Sequence, residues 1–145
     1  MKQLTRSLAL LLTLVLTFGC LLPASMAEGQ APAWNGIPAT SFAGGSGTES
    51  DPYLISNGAE LAYLAQKVNE DNTTQNPYRS AWYKLTADID LGNQEWTPIG
   101  WNSSTSYYFC GTFIGGGHTI SHLKISGSQN NVGLFGNLAA ANICD

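Results

Sequence analysis

Asp88 and Asp90 are the sharpest pair of reactive groups in the chain. They sit in the run Trp82-Tyr83-Lys84-Leu85-Thr86-Ala87-Asp88-Ile89-Asp90-Leu91. On an extended strand, residues i and i+2 project from the same face. Two close carboxylates are hard oxygen ligands for Ca²⁺, or an acid–base couple of the kind used on polysaccharides, and Glu95 is close enough in sequence to join them. The plainer alternative is a solvated strand face or corner that keeps the strand soluble. His118 and His122 are four apart, a spacing that would put both on one helix face as zinc ligands. Gly115-Gly116-Gly117 before them and Thr119-Ile120 between them mark turn and strand instead. No lysine follows the three glycines and no helical pattern opens after them, which excludes a phosphate loop. Tight turning at positive φ explains them. The chain has no Gly-x-Ser-x-Gly elbow and no His-Glu-x-x-His motif, so no catalytic residue is assigned.

Aromatic residues supply the binding chemistry. Exposed rings stack on sugars and are enriched in recognition surfaces. Trp101, Tyr107 and Tyr108 flank the polar loop 102–106 and are the candidate ligand-binding residues. Trp82 and Trp96 are expected to complete the core beneath a helix.

Those groups need elements to hold them. Asp51-Pro52-Tyr53-Leu54-Ile55 reads as a short strand. Asn57 is a helix N-cap with Glu60 as its capping-box partner. Leu61, Leu64, Ala65 and Val68 fall at i, i+3, i+4 and i+7, one apolar stripe. The polar run 69–76 ends the helix. From 82 to 91, Tyr83, Leu85, Ala87, Ile89 and Leu91 alternate with Lys84, Thr86, Asp88 and Asp90, which predicts one half-buried strand. Gly92-Asn93 turns the chain into a second short strand at 96–100. Gly111-Thr112-Phe113 returns as Gly133-Leu134-Phe135, and Ile120 returns as Ile143. A period in the low twenties predicts a solenoid, with the single helix capping its first coil.

The ordered set Gly44-Gly45-x-Gly47-Thr48-x-x-Asp51-Pro52-Tyr53-x-Ile55, Leu85-x-x-Asp88-Ile89-Asp90-Leu91, Trp96-x-Pro98-Ile99-Gly100, Gly111-Thr112-Phe113-x-Gly115-x-Gly117-His118-Thr119-Ile120 and Asn131-Val132-Gly133-Leu134-Phe135-Gly136 resembles the GLUG-motif bacterial surface proteins. It is most similar to their amino-terminal β-helical region, as found ahead of M26-type IgA peptidase domains. The resemblance implies a right-handed parallel β-helix in a secreted or wall-attached protein, and a structural hydrogen bond for His118 beside a turn. Ile114 stands where that family commonly has an acidic residue. The chain ends at Ile143-Cys144-Asp145 partway through a coil, so the expectation is an incomplete solenoid, a fragment, whose uncapped end favours self-association.

Composition fixes the setting. Lys2 and Arg6 precede the apolar run 8–18, which is too short for a normal spanning helix, and Ser25-Met26-Ala27 supplies small residues for signal-peptide cleavage. Cys20 after Gly19 is the rival, a lipidated cysteine. Residues 1–27 are thus read as a signal peptide, 28–50 as a flexible linker, and 51–145 as the capping helix plus incomplete β-solenoid, with no membrane span after cleavage. Residues 28–145 hold ten acidic and four basic residues, a net charge of −6, which leaves no basic patch for nucleic acid. Cys110 and Cys144 are separated by more than one such period and less than two. An exported protein can keep a disulfide, but strand alternation points both outward, and two free thiols is the plainer reading. Function follows as an exported structural stalk or adhesion module that meets a host or neighbouring-cell surface protein or glycan. The alternative is a non-catalytic part of a secreted surface peptidase or glycan-cleaving β-helix enzyme. No cofactor is required, calcium at Asp88 and Asp90 being the one candidate. Sequencing the N-terminus of the exported protein is expected to begin at Glu28; an acylated N-terminus at Cys20 would make the protein a lipoprotein instead.

Overall fold

The computed structural model describes residues 32–70, 75–101, 108–127 and 130–145. The signal-peptide reading, Tyr107 and the loop 102–106 lie outside them. The architecture is mainly sheet with one helix. In chain order the elements are β1 (Tyr53–Ile55), α1 (Gly58–Glu70), a 3₁₀ turn (Pro77–Arg79), β2 (Trp82–Leu85), β3 (Ile89–Asp90), β4 (Thr112–Ile114), β5 (Ile120–Ser121) and β6 (Asn142–Cys144). They form two parallel sheets, β1-β2-β4-β6 and β3-β5.

The register gives the true repeat. Tyr53 pairs with Tyr83, Trp82 with Thr112, and Thr112 in turn with Asn142, all at one constant spacing. Ile89 pairs with Ile120 at nearly the same spacing in the second sheet. The period in the low twenties is therefore corrected: paired strands lie about 30 residues apart in the sequence. Phe113 lies over Ile143, whereas Phe135 bridges to Ile99 on another side of the structure. The two Gly-x-Phe segments are alike in residue type because both feed a phenylalanine inward, but they belong to different stacks.

Alternation decides what those stacks bury. Tyr83 and Leu85 are inside while Lys84 between them is exposed. Tyr53, Tyr83, Phe113 and Ile143 make one inward ladder, and Ile55 sits over Leu85 in another. The run 82–91 is two strands in different sheets, not one. The chain bends at 86–88, where the Thr86 N–H donates to the Ile55 carbonyl at 2.9 Å. Inward and outward alternation continues through the bend, since Ile89 and Leu91 are fully buried. Ile143, the last rung, is 46% exposed, with Val132, Leu138 and Leu123 also open to solvent.

The helix forms as its sequence dictates. Asn57 Oδ1 accepts the Glu60 N–H at 3.0 Å. Glu60 Oε2 reaches back to the Ser56 N–H at 2.7 Å and the Ser56 hydroxyl at 2.9 Å, one residue before the cap itself. Leu61, Leu64, Ala65 and Val68 are buried in the same core as Ile55, Leu85, Ile89, Trp96 and Phe109. At its other end Asn69 pins the segment 98–101. Its amide donates to the Pro98 carbonyl at 2.9 Å, and its Oδ1 accepts from Gly100 at 3.0 Å and Trp101 at 3.1 Å. Among the described residues no helix is long and apolar enough to cross a membrane.

Residues 32–50, expected as part of a flexible linker, are held against the domain along their length. The Trp34 N–H donates to the Asp90 carbonyl at 2.8 Å and its ring is buried. Gly44 bridges Leu54, and the Gly47 carbonyl accepts the Trp82 N–H at 2.9 Å. Gly45, at φ +84°, allows this: a Cβ there would overlap the Pro52 carbonyl. The glycines thus serve close approach rather than mobility.

Leu85→Ala is expected to destabilise by about 2–5 kcal/mol and Lys84→Ala by less than about 0.5 kcal/mol in urea unfolding. Equal losses at the two sites would contradict the assigned faces. Asn57→Ala is expected to cost about 1 kcal/mol through the lost cap.

Candidate functional site

The acidic residues singled out by the sequence are acceptors for backbone amides at the bends. Asp88 Oδ1 accepts the Thr119 N–H at 2.8 Å, and His118 Nδ1 lies 3.4 Å from the same oxygen. Asp90 Oδ1 accepts the Gly92 N–H at 2.8 Å, a local turn of the type short carboxylates make, and lies 2.8 Å from His122 Nδ1. Glu95 extends the series. It accepts from the Ser126 N–H at 2.5 Å and the Ser126 hydroxyl at 2.9 Å, with Lys124 Nζ at 3.8 Å. Asp145 reaches the other way, to the Gly117 N–H at 2.6 Å. Three of these four carboxylates therefore bond a backbone N–H of the neighbouring pass. Asp90 contacts that pass through the His122 ring.

The electrostatics follow the same contacts. The Thr119 N–H, then His118, hold the Asp88 carboxyl below its usual range. The Gly92 N–H, then His122, do so for Asp90. The Ser126 N–H and hydroxyl, then Lys124, do so for Glu95. All three are carboxylates at neutral pH whose ionised form is hydrogen-bonded, the condition that favours charge.

Asp88 and Asp90 do share a neighbourhood, but each has its own donor and its own histidine. Among the described residues no three His, Cys, Asp or Glu groups are placed to hold a metal ion. Ca²⁺ takes six to eight oxygens, and here the Oδ1 atoms of both aspartates already face N–H donors. His118 lies beside the turn at Gly116 and Gly117, both at positive φ, and His122 itself has φ +55°. Neither lies on a helix.

The aromatic candidates separate into two groups. Trp96 is 3% exposed, meets Trp34 edge to face at 5.7 Å, and donates its indole N–H to the Leu134 carbonyl at 3.2 Å. It belongs to the core. Trp82 is half-buried at the head of β2. Trp101 and Tyr108 are half-buried at the two ends of the 102–107 segment. The backbone of Gly100 lies against Tyr108 and Phe109, which brings those ends together. The Arg79 guanidinium stands over the Tyr108 ring at 5.5 Å. Cys110 and Cys144 are free thiols, Cys144 being in register with Ile114 rather than with Cys110.

Two concavities carry no motif in the sequence. A groove of about 360 Å³ runs between α1 and the arm 34–38, floored by Trp34, Ala62, Ala65 and Trp96. A smaller cavity of about 240 Å³ is walled by Phe42, Tyr53, Tyr63 and Tyr78. The only sequence signal for the second is the presence of aromatics off the apolar stripe, at Tyr63, and in the expected linker, at Phe42.

No family model matches the chain, and no solved structure does. Among curated proteins it is similar to Halomucin of Haloquadratum walsbyi, at 34% identity over 77% of this chain. It is also similar to a Gly-rich membrane protein of Evansella cellulosilytica, at 36% identity over 66% of this chain. The chain spans about 1% of the first protein and 10% of the second.

The lowered carboxyls set an acid limb. Their bonds stabilise the fold above the ordinary carboxylate range and are lost as pH falls through the depressed folded values. Stability is expected to stay flat from pH 7 to about 5 and to decline below about 4. The Asp88→Asn/Asp90→Asn double variant is expected to show a shallower decline; an unchanged acid limb would contradict the role. Millimolar Ca²⁺ is expected to leave the wild-type melting temperature unmoved. A saturable rise that the double variant abolishes would instead assign Asp88 and Asp90 to calcium.

Proposed function

We propose that this chain is an exported cell-surface module built as a right-handed parallel β-helix, a stalk or adhesion element without catalysis. The single observation that carries this reading is the evenly spaced, in-register parallel pairing of β1, β2, β4 and β6. Each pass adds one strand spacing, about 4.8 Å, and buries its apolar face on the next. Right-handedness follows from the general hand of parallel crossovers. Helix α1 closes the first pass, and Ile143 on β6, the last strand of the described sheet, remains 46% exposed.

The resemblance of its ordered motifs to those of GLUG-motif surface proteins supports the same reading. So do the curated similarities. One relative is named a membrane protein, and in both the matched stretch is a small part of a much longer chain. That proportion suits a module repeated or embedded in a large surface protein. The carboxylates best suited to chemistry are engaged in holding the bends, which supports a structural rather than catalytic use of Asp88 and Asp90.

Brief protease treatment of intact cells, followed by detection with an antibody against residues 51–145, tests the location. The expected result is loss of the signal from whole cells with an intracellular control protein spared. Protection until lysis would overturn the surface assignment.

A further inference from the structure

We propose that the cavity walled by Phe42, Tyr53, Tyr63 and Tyr78 binds a neutral hexopyranose unit of a glycan. This deepens the adhesive reading above and rests on it for its biological sense, but the geometry stands on its own.

Four separate elements bring these rings together. Phe42 comes from the arm, Tyr53 from β1, Tyr63 from α1 and Tyr78 from the 3₁₀ turn. Phe42 stacks on Tyr53 at 4.5 Å and meets Tyr63 edge to face at 5.0 Å, and Tyr53 stacks on Tyr78 at 5.9 Å. The walls are fixed from behind. Asn76 Oδ1 accepts the Tyr78 N–H at 3.0 Å, and the Asn76 amide donates to the Lys67 carbonyl at 2.9 Å, which ties the turn to α1. The Tyr83 hydroxyl donates to the Tyr78 carbonyl at 2.7 Å. A site already assembled in the free protein loses little ordering entropy on binding.

The lining selects the ligand. Tyr83 has spent its hydroxyl on the protein, but those of Tyr53, Tyr63 and Tyr78 have no protein partner among the described residues and are not sealed from solvent. Burial first, then Tyr78 and Tyr63, push the Tyr53 phenol up, so it remains a neutral donor and acceptor at physiological pH. Lys67, whose Nζ lies 5.4 Å from the Tyr63 ring centre, is bridged to Glu70 at 2.7 Å and brings no uncompensated charge. Ring faces beside uncharged hydroxyls complement a sugar, which has an apolar C–H face and hydroxyls on its rim. The volume of about 240 Å³ is below the ~300–1,000 Å³ of drug-sized pockets and suits one such ring. The net charge of −6 over residues 28–145 disfavours an anionic sugar.

Saturation-transfer NMR on the full chain with the methyl glycosides of glucose, galactose, mannose and N-acetylglucosamine tests this. At least one is expected to bind at millimolar concentration. The Tyr63→Phe/Tyr78→Phe variant keeps the packing and removes two hydroxyls. Each neutral hydrogen bond is worth about fivefold, so affinity is expected to fall about tenfold or more with the melting temperature preserved. No binding of any of the four, binding indifferent to the variant, or binding of tetramethylammonium in place of sugars would overturn the proposal. Sugar binding is read on the isolated protein and surface exposure on intact cells, so either result can fail without the other.

Discussion

The structure depends on one constraint: each pass of the chain must lie parallel and in register with the pass before it. Backbone N–H and C=O groups that are not paired within a pass find partners on its neighbours. The constraint fixes the side chains too. A one-residue slip would turn Tyr83 and Leu85 outward and Lys84 into the core. The inward ladder Tyr53–Tyr83–Phe113–Ile143 is thus both a product of the register and its lock. Stacked aromatics add contact energy beyond their buried area, and the chain continues them from Tyr83 through Phe109 to Phe135 and Phe113.

Bends are where this arrangement is weakest, because the ladder pauses there and leaves amides without partners. Carboxylates from the adjacent pass fill that need at Thr119, Ser126 and Gly117. The pattern explains why a chain so poor in charge keeps acidic residues at its corners. It also explains why those residues look like a catalytic pair in the sequence: a corner needs short, solvent-facing acceptors at close spacing, as an active site does. The first pass solves the same problem differently. Its open apolar side is covered by α1 and by the arm carrying Trp34, whose backbone N–H is bonded to Asp90.

Local physics is legible in the residues and long-range stacking is not. The cap at Asn57, the stripe of Leu61, Leu64, Ala65 and Val68, and the alternation through Tyr83 and Leu85 depend on neighbours a few positions away, and each is found where its pattern places it. Short strands and one helix are readable on the same grounds, whereas their parallel pairing is implied only by the resemblance to GLUG-motif proteins. The period misleads because the rungs differ in type, Tyr, Tyr, Phe and Ile, while Gly111-Thr112-Phe113 and Gly133-Leu134-Phe135 look alike from different sides. The run 82–91 reads as one strand because alternation survives the bend at 86–88. The tyrosine cavity is invisible for a further reason: its walls come from four elements, one of them in the stretch 32–50, whose glycines read as freedom but serve close approach. Of the aromatics proposed for ligand contact, Trp101 and Tyr108 do lie at the two ends of one loop, brought together at Gly100. Nothing in their pattern distinguishes them from Tyr63 or Tyr78.

The register between β4 and β6 is the most direct test. Ile114 is paired with the native Cys144, and paired Cα atoms on adjacent strands fall within the ~4.4–6.8 Å that a disulfide spans. In a Cys110→Ser background, Ile114→Cys is expected to form an intramolecular disulfide with Cys144 under mild oxidation of the folded protein, seen as a loss of two free thiols by mass spectrometry. The shorter period would instead place Ile114 over Gly136. A free Cys144 in the first variant, with ready cross-linking in an Ile114→Cys/Gly136→Cys variant lacking the native thiols, would contradict the stack on which the fold and its proposed use both rest.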